Sequence, residues 1–124
     1  MEFDHQSRNF IQTDGNLIKL RYQIYRNYVM CQTKCKEEDF VTLEKCHKNC
    51  GRFLAYGHKY SQALYEQYST KMIKEAEDCM ASSEDSSPQE CINKITSTYA
   101  KDKLEDFKCE YTSYLERLAS RSSI

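Results

Sequence analysis

The chain has no tryptophan, a single proline and only three glycines among its 124 residues. Helix breakers are scarce, so long helices are favoured over turn-rich β architectures. Net charge is nearly absent as well, with 18 basic residues against 19 acidic ones. That balance gives no bias toward nucleic acid or any other polyanion. No apolar run approaches the roughly 18 residues that a membrane span needs. The first ten residues, Met1 to Phe10, hold neither the apolar stretch of a secretory signal nor the arginine-rich pattern of a matrix presequence. Catalytic signatures are missing too: no Cys-x-x-Cys, no nucleophile elbow, no glycine-rich phosphate loop, no convincing carboxylate pair. The chain reads as non-catalytic, without a cofactor.

What is present is cysteine and tyrosine, seven of the first and ten of the second. The mean hydropathy is −0.82, which predicts a thin, partly polar core that needs staples or partners to hold its shape. Cysteines paired at helical intervals point to disulfides and an oxidising compartment. Disulfides without a signal peptide are an unusual combination, and the mitochondrial intermembrane space is one place that reconciles them.

The chain is organised around Cys31-x3-Cys35 and Cys46-x3-Cys50, separated by a connector of ten residues. On a helix, residues i and i+4 share a face about one turn apart. Each pair therefore presents two thiols to one side. If the connector reverses the chain, the faces meet with Cys35 opposite Cys46 and Cys31 opposite Cys50. Of the three connectivities open to four cysteines, this nested one suits antiparallel helices. The crossed pairing offsets the helices by a turn, and bridges within each pair constrain no packing between helices. Four thiolates would also suit zinc, but zinc sites favour two-residue spacing on turns, so no metal is expected. His47 and His58 read as solvated helix residues.

Residues 1–14 read as a polar, flexible N-terminus. Thr13-Asp14-Gly15-Asn16 can cap a helix. From there Leu17, Leu20, Ile24, Tyr28, Cys31 and Cys35 recur at helical spacing to about residue 37, with Tyr22, Tyr25 and Val29 widening the stripe. Lys36 to Asp39 is the predicted reversal. A second helix starts near Phe40 and carries a stripe of Phe53, Leu54, Tyr56, Tyr60, Leu64, Tyr68, Met72, Ile73 and Ala76 toward Cys79. Residues 15–80 form one predicted unit, a disulfide-stapled antiparallel helical hairpin in an all-α fold. Residues 81–124 are a linker and a C-terminal extension. Ser87-Pro88-Gln89-Glu90 is a helix start, with serine at the N-cap, proline at N1 and glutamate at N3. The amphipathic helix behind it carries Cys91, Ile92, Ile95, Tyr99, Leu104, Phe107, Tyr111, Tyr114, Leu115 and Leu118 on one face. Cys79 and Cys91 flank the linker by about a turn each, and a bridge between them would staple this helix to the second. Cys109 is left over and reads as a small buried hydrophobe.

The segment from Tyr25 to Leu54, with its twin Cys-x3-Cys and a Leu43-x2-Cys46-x3-Cys50-x2-Phe53-Leu54 context, resembles the small Tim family of the mitochondrial intermembrane space. The likeness extends over roughly residues 15–75. It implies a helical hairpin with the nested bridges, peripheral to the inner membrane, and assembly with small-Tim paralogues into a hexameric, hetero-oligomeric α-propeller. It further implies a chaperone role, clasping hydrophobic inner-membrane protein precursors along the helical arms. The residues that would make client or partner contacts are Leu17, Leu20, Ile24, Tyr28, Phe53, Tyr60, Leu64 and Tyr68. The chain departs from the family in a slightly shorter connector, in tyrosine-rich arms less apolar than a carrier needs, and in the added C-terminal helix. The polar arms and the extra helix fit the alternative, a non-catalytic accessory subunit fixed in an inner-membrane assembly such as a respiratory complex.

Overall fold

The computed structural model describes residues 2–82 and 87–122. Among them every regular element is helical. Helix α1 spans Glu2–Thr13, α2 Gly15–Thr33, α3 Phe40–Ser82, α4 Pro88–Thr98 and α5 Leu104–Ser122, with a π turn at Tyr99–Lys103 joining the last two.

The N-terminal segment is the first correction to the sequence reading. Residues 2–13 form a helix rather than a frayed tail. Phe3 and Leu17 are both fully buried in the main core. Phe3 sits edge-on to Tyr99 and Phe107 and stacked beside Tyr68. One aromatic anchor of this kind is worth roughly 2–3 kcal/mol of burial, enough to hold an otherwise polar helix down. The Tyr65 hydroxyl also donates to Asp4, tying α1 to α3 a second time.

Asp14 caps α2 as the sequence suggested: its Oδ1 accepts from the Leu17 N–H at 3.1 Å. The helix ends at Thr33, four residues earlier than predicted. Cys35 therefore lies just beyond it, its N–H bonded to the Gln32 carbonyl. No glycine or proline makes the turn. Instead Asp39 restarts the helix, its carboxylate accepting from both the N–H and the hydroxyl of Thr42 at 3.1 and 2.9 Å. This aspartate is a cap that the sequence reading took for part of a solvated charge cluster.

The Ser87 cap holds, with its hydroxyl oxygen accepting from the Glu90 N–H at 3.2 Å behind Pro88 at the first turn. The expected linker, 81–87, falls mostly on residues outside those described; Ala81 and Ser82 belong to α3. The expected tail begins too early, because α5 runs to a buried Ser122 whose hydroxyl accepts from the Asn27 amide.

The core lies between α2, α3 and α5, with α1 and α4 closing its far end. Leu17 and Ile24 enter from α2, Leu64, Tyr68 and Met72 from α3, and Phe107, Tyr111, Leu115 and Leu118 from α5. The C-terminal extension is thus half of the core rather than an appendage to it.

Candidate functional site

At one end of α2 and α3 the cysteines form the head of the molecule. Cys31 is bonded to Cys50 and Cys35 to Cys46, with Cα separations of 5.5 and 5.9 Å. Cys35 Sγ lies 3.9 Å from Cys50 Sγ, so the two bridges touch. Cys35, Cys46 and Cys50 form a cluster of metal-ligating type, but each sulfur is already spent in a disulfide, and a disulfide sulfur is no thiolate donor. Cys79 is bonded to Cys91 with a Cα separation of 5.8 Å, fixing the end of α3 to the start of α4. Cys109 is free and exposed on α5, not buried as the sequence reading had it. Its neighbours Phe107 and Tyr111 take the inward positions of that helix instead.

The eight residues singled out as client or partner contacts fall on the inner faces of α2 and α3, and there they meet the chain's own helices. Leu17, Ile24, Leu64 and Tyr68 are buried core residues. Leu20, Phe53 and Tyr60 are half-buried against that core. Tyr60 stacks on Tyr114 of α5. Tyr28 is half-buried beside the head, where its hydroxyl accepts from the Gln32 amide at 2.6 Å. Within this chain most of these positions are packed against its own helices rather than presented as an open face. The physical reason is the length and pattern of the extension: α5 offers Phe107, Tyr111, Leu115 and Leu118 at helical spacing, a stripe complementary to the one on the arms.

The aromatic core has its own electrostatics. The Tyr68 phenol is pushed up to about 12 by burial first, then by the nearby carboxylates of Glu110 and Asp106. Tyr99 is likewise raised to about 12, by burial and by its hydrogen bond to Glu75. Burial raises Tyr60 and Tyr111 as well, Arg21 and a Ser61 hydrogen bond partly opposing it at Tyr111. These groups stay neutral at any physiological pH.

A second apolar face is free. Ile18, Tyr22, Tyr25 and Val29 recur at helical spacing along the outside of α2, and all are exposed, Tyr22 by 67 %. The sequence reading had folded Tyr22, Tyr25 and Val29 into the core stripe; they lie instead on a separate stripe about a third of a turn round the helix. Met30 extends this surface toward the head. Every charged residue of α2 is basic, namely Lys19, Arg21 and Arg26. At the head, Phe40 and Val41 are exposed too, Phe40 by 75 %.

No helix among the described residues is long and apolar enough to cross a membrane. Compared with family models, with curated proteins and with solved structures, the chain matches none.

Proposed function

We propose that this protein is a non-catalytic structural subunit of the mitochondrial intermembrane space, a small-Tim-like disulfide-stapled hairpin that has become a fixed part of an inner-membrane assembly. The observation that carries this reading is the burial of Leu17, Ile24, Leu64 and Tyr68 against the chain's own α5. A carrier of hydrophobic precursors needs that arm face open. Here it is closed by covalently continuous helix, at an effective concentration no transient client matches. The twin Cys-x3-Cys head and its nested bridges support the likeness to small Tims and an oxidising location.

The outward stripe of α2 is the surface for the permanent neighbour. Tyrosine, methionine and arginine are the residue types enriched in protein interfaces, and Tyr22, Tyr25, Arg26 and Met30 are all exposed there. With no acidic residue on α2, the neighbour presents carboxylates to it.

The test is native isolation of the tagged chain from mitochondria in gentle detergent. Stoichiometric co-migration with one inner-membrane complex is expected, and Tyr22→Asp with Tyr25→Asp should release it without lowering the melting temperature. A free particle of about six small subunits, carrying substoichiometric membrane-protein precursors, would replace this reading with the chaperone one. Recovery outside mitochondria would overturn both.

A further inference from the structure

One cavity combines an apolar floor with an unbalanced positive charge. It has a volume of about 240 Å³ and opens between α1, α2, α3 and α5, away from the disulfides. Ile11, Ile24, Leu54 and Leu115 supply the apolar wall. Gly57 forms part of the α3 side, and its missing side chain brings α5 close: a Cβ there would stand 3.5 Å from Leu118 Cδ1. The polar groups converge from three helices. Arg21 comes from α2, His58 and Ser61 from α3, and Tyr111 from α5. Ser61 hydrogen-bonds the Tyr111 phenol, and Arg21 is near enough to act on that phenol electrostatically.

No carboxylate answers this charge. Among the described residues the ion pairs are Arg8 with Asp4, Lys48 with Glu44 and Lys108 with Glu105, and none involves Arg21. Arg21 is half-buried at the cavity, and its guanidinium, without a counter-ion among the described residues, is free to pair with an anion entering there. Its planar fork matches a carboxylate in two parallel hydrogen bonds. A cavity of about 150 Å³ is already large enough for benzene, so this one has room for a short aliphatic or a single-ring body behind the anionic head.

We infer that this cavity is a binding site for a small monocarboxylic acid with an apolar tail or ring, its carboxylate on Arg21 and its body against Ile24, Leu54 and Leu115. His58 and the Ser61–Tyr111 hydroxyl pair stand at the polar mouth, where they donate to the same carboxylate or to water bridging it. The site does not depend on the proposed place of the protein in a larger assembly. It needs only the intact chain, because α1, α2, α3 and α5 all contribute walls.

The experiment is an amide NMR titration of the oxidised full-length chain with two probes of equal tail length, octanoate and octan-1-ol. Octanoate should shift amides of residues 53–61 and 111–115 saturably, and octanol should bind at least tenfold more weakly. Arg21→Gln, which keeps the shape and removes the charge, should bring the two probes to equal affinity. Ser61→Leu, which fills the cavity, should abolish both. Equal binding of the two probes to the native chain would overturn the proposal. So would shifts that map instead to the apolar groove of Met72, Ile73, Met80 and Ile92, or the absence of saturable shifts. Should Ser61→Leu lose its folded spectrum, the comparison of native chain with Arg21→Gln still decides the matter.

Discussion

Tyr60 of α3 stacks on Tyr114 of α5, with ring centroids 3.7 Å apart and planes 20° from parallel. This pair ties α3 to α5 beside the main core. Aromatic pairs contribute about 0.5–1.5 kcal/mol beyond the area they bury. Truncating a half-buried ring adds lost contact area, so Tyr114→Ala should destabilise the chain by roughly 1–3 kcal/mol. Tyr114→Phe, which keeps the ring, should melt close to the native temperature. Urea unfolding of the three proteins checks this. An unchanged midpoint in Tyr114→Ala would mean that the pair does not tie α3 to α5.

Phe3 tests whether the first helix belongs to the fold. Its ring is fully buried among Tyr68, Tyr99 and Phe107. Phe3→Ala should cost about 3–5 kcal/mol, the usual range for a buried phenylalanine. A frayed N-terminus would make the same substitution silent. Calorimetry separates the two outcomes by many degrees in a chain of this size.

Stability at high pH follows from the raised phenols. In the unfolded chain a tyrosine loses its proton near pH 10, whereas Tyr68 and Tyr99 hold theirs to about 12 in the fold. The folded state therefore binds more protons than the unfolded one in this window. The stabilisation is complete below about pH 10 and is lost as pH rises toward 12. Phenolate absorbance should show a late-titrating fraction that disappears when the chain unfolds, and Tyr68→Phe should shrink it. Titration of every tyrosine near pH 10 in the folded chain would contradict the burial argument.

The third bridge should stabilise the chain through its unfolded state. Cys79 and Cys91 are 12 residues apart, and closing such a loop is worth about 3 kcal/mol by chain entropy. The double substitution Cys79→Ser with Cys91→Ser should therefore lower stability by up to about 3 kcal/mol while the Cys31–Cys50 and Cys35–Cys46 bridges persist in a non-reducing peptide map. Free Cys79 and Cys91 in the native oxidised protein would refute the pairing.

The caps of α2 and α4 were legible because their signals are local, whereas the Asp39 cap was hidden in a run of charges. Asp14 and Ser87 announce their helix starts within three residues of sequence. Tyr22, Tyr25 and Val29 were misplaced because a helix with apolar residues on two faces has no single period to read, and only packing decides which face turns inward. Phe3 was missed for a similar reason: one aromatic among polar residues carries no periodic signal, and its socket is built from Tyr68, Tyr99 and Phe107, all distant in sequence. Cys109 went wrong because burial was expected from residue type alone; five positions from Leu104 and two from each of Phe107 and Tyr111, it turns away from the inward face of α5. The cavity at Arg21 needed four helices to be brought together before it existed at all.

The sequence reading ran straight through the π turn, which corresponds to an irregular interval in the apolar spacing. Along the C-terminal run the inward residues are Cys91, Ile95, Tyr99, Leu104, Phe107, Tyr111, Leu115 and Leu118, spaced by three or four except for the five between Tyr99 and Leu104. Each residue of an α-helix turns about 100°, so an uncorrected five-residue step would rotate everything after it off the core. The wider turn absorbs the extra residue, with the Leu104 N–H bonded back to the Tyr99 carbonyl. Deleting one exposed residue there, Asp102, should restore an ordinary α-helix with its stripe in phase. We expect that deletion to shift the melting temperature by only a few degrees. Deleting Ser113, an exposed residue of α5 between Tyr111 and Leu115, should instead rotate everything after it by about 100°, turn Leu118 away from the core and lower the melting temperature far more. Equal damage from both deletions would show that the π turn is fixed by contacts of its own and not by the phase of the helix it joins.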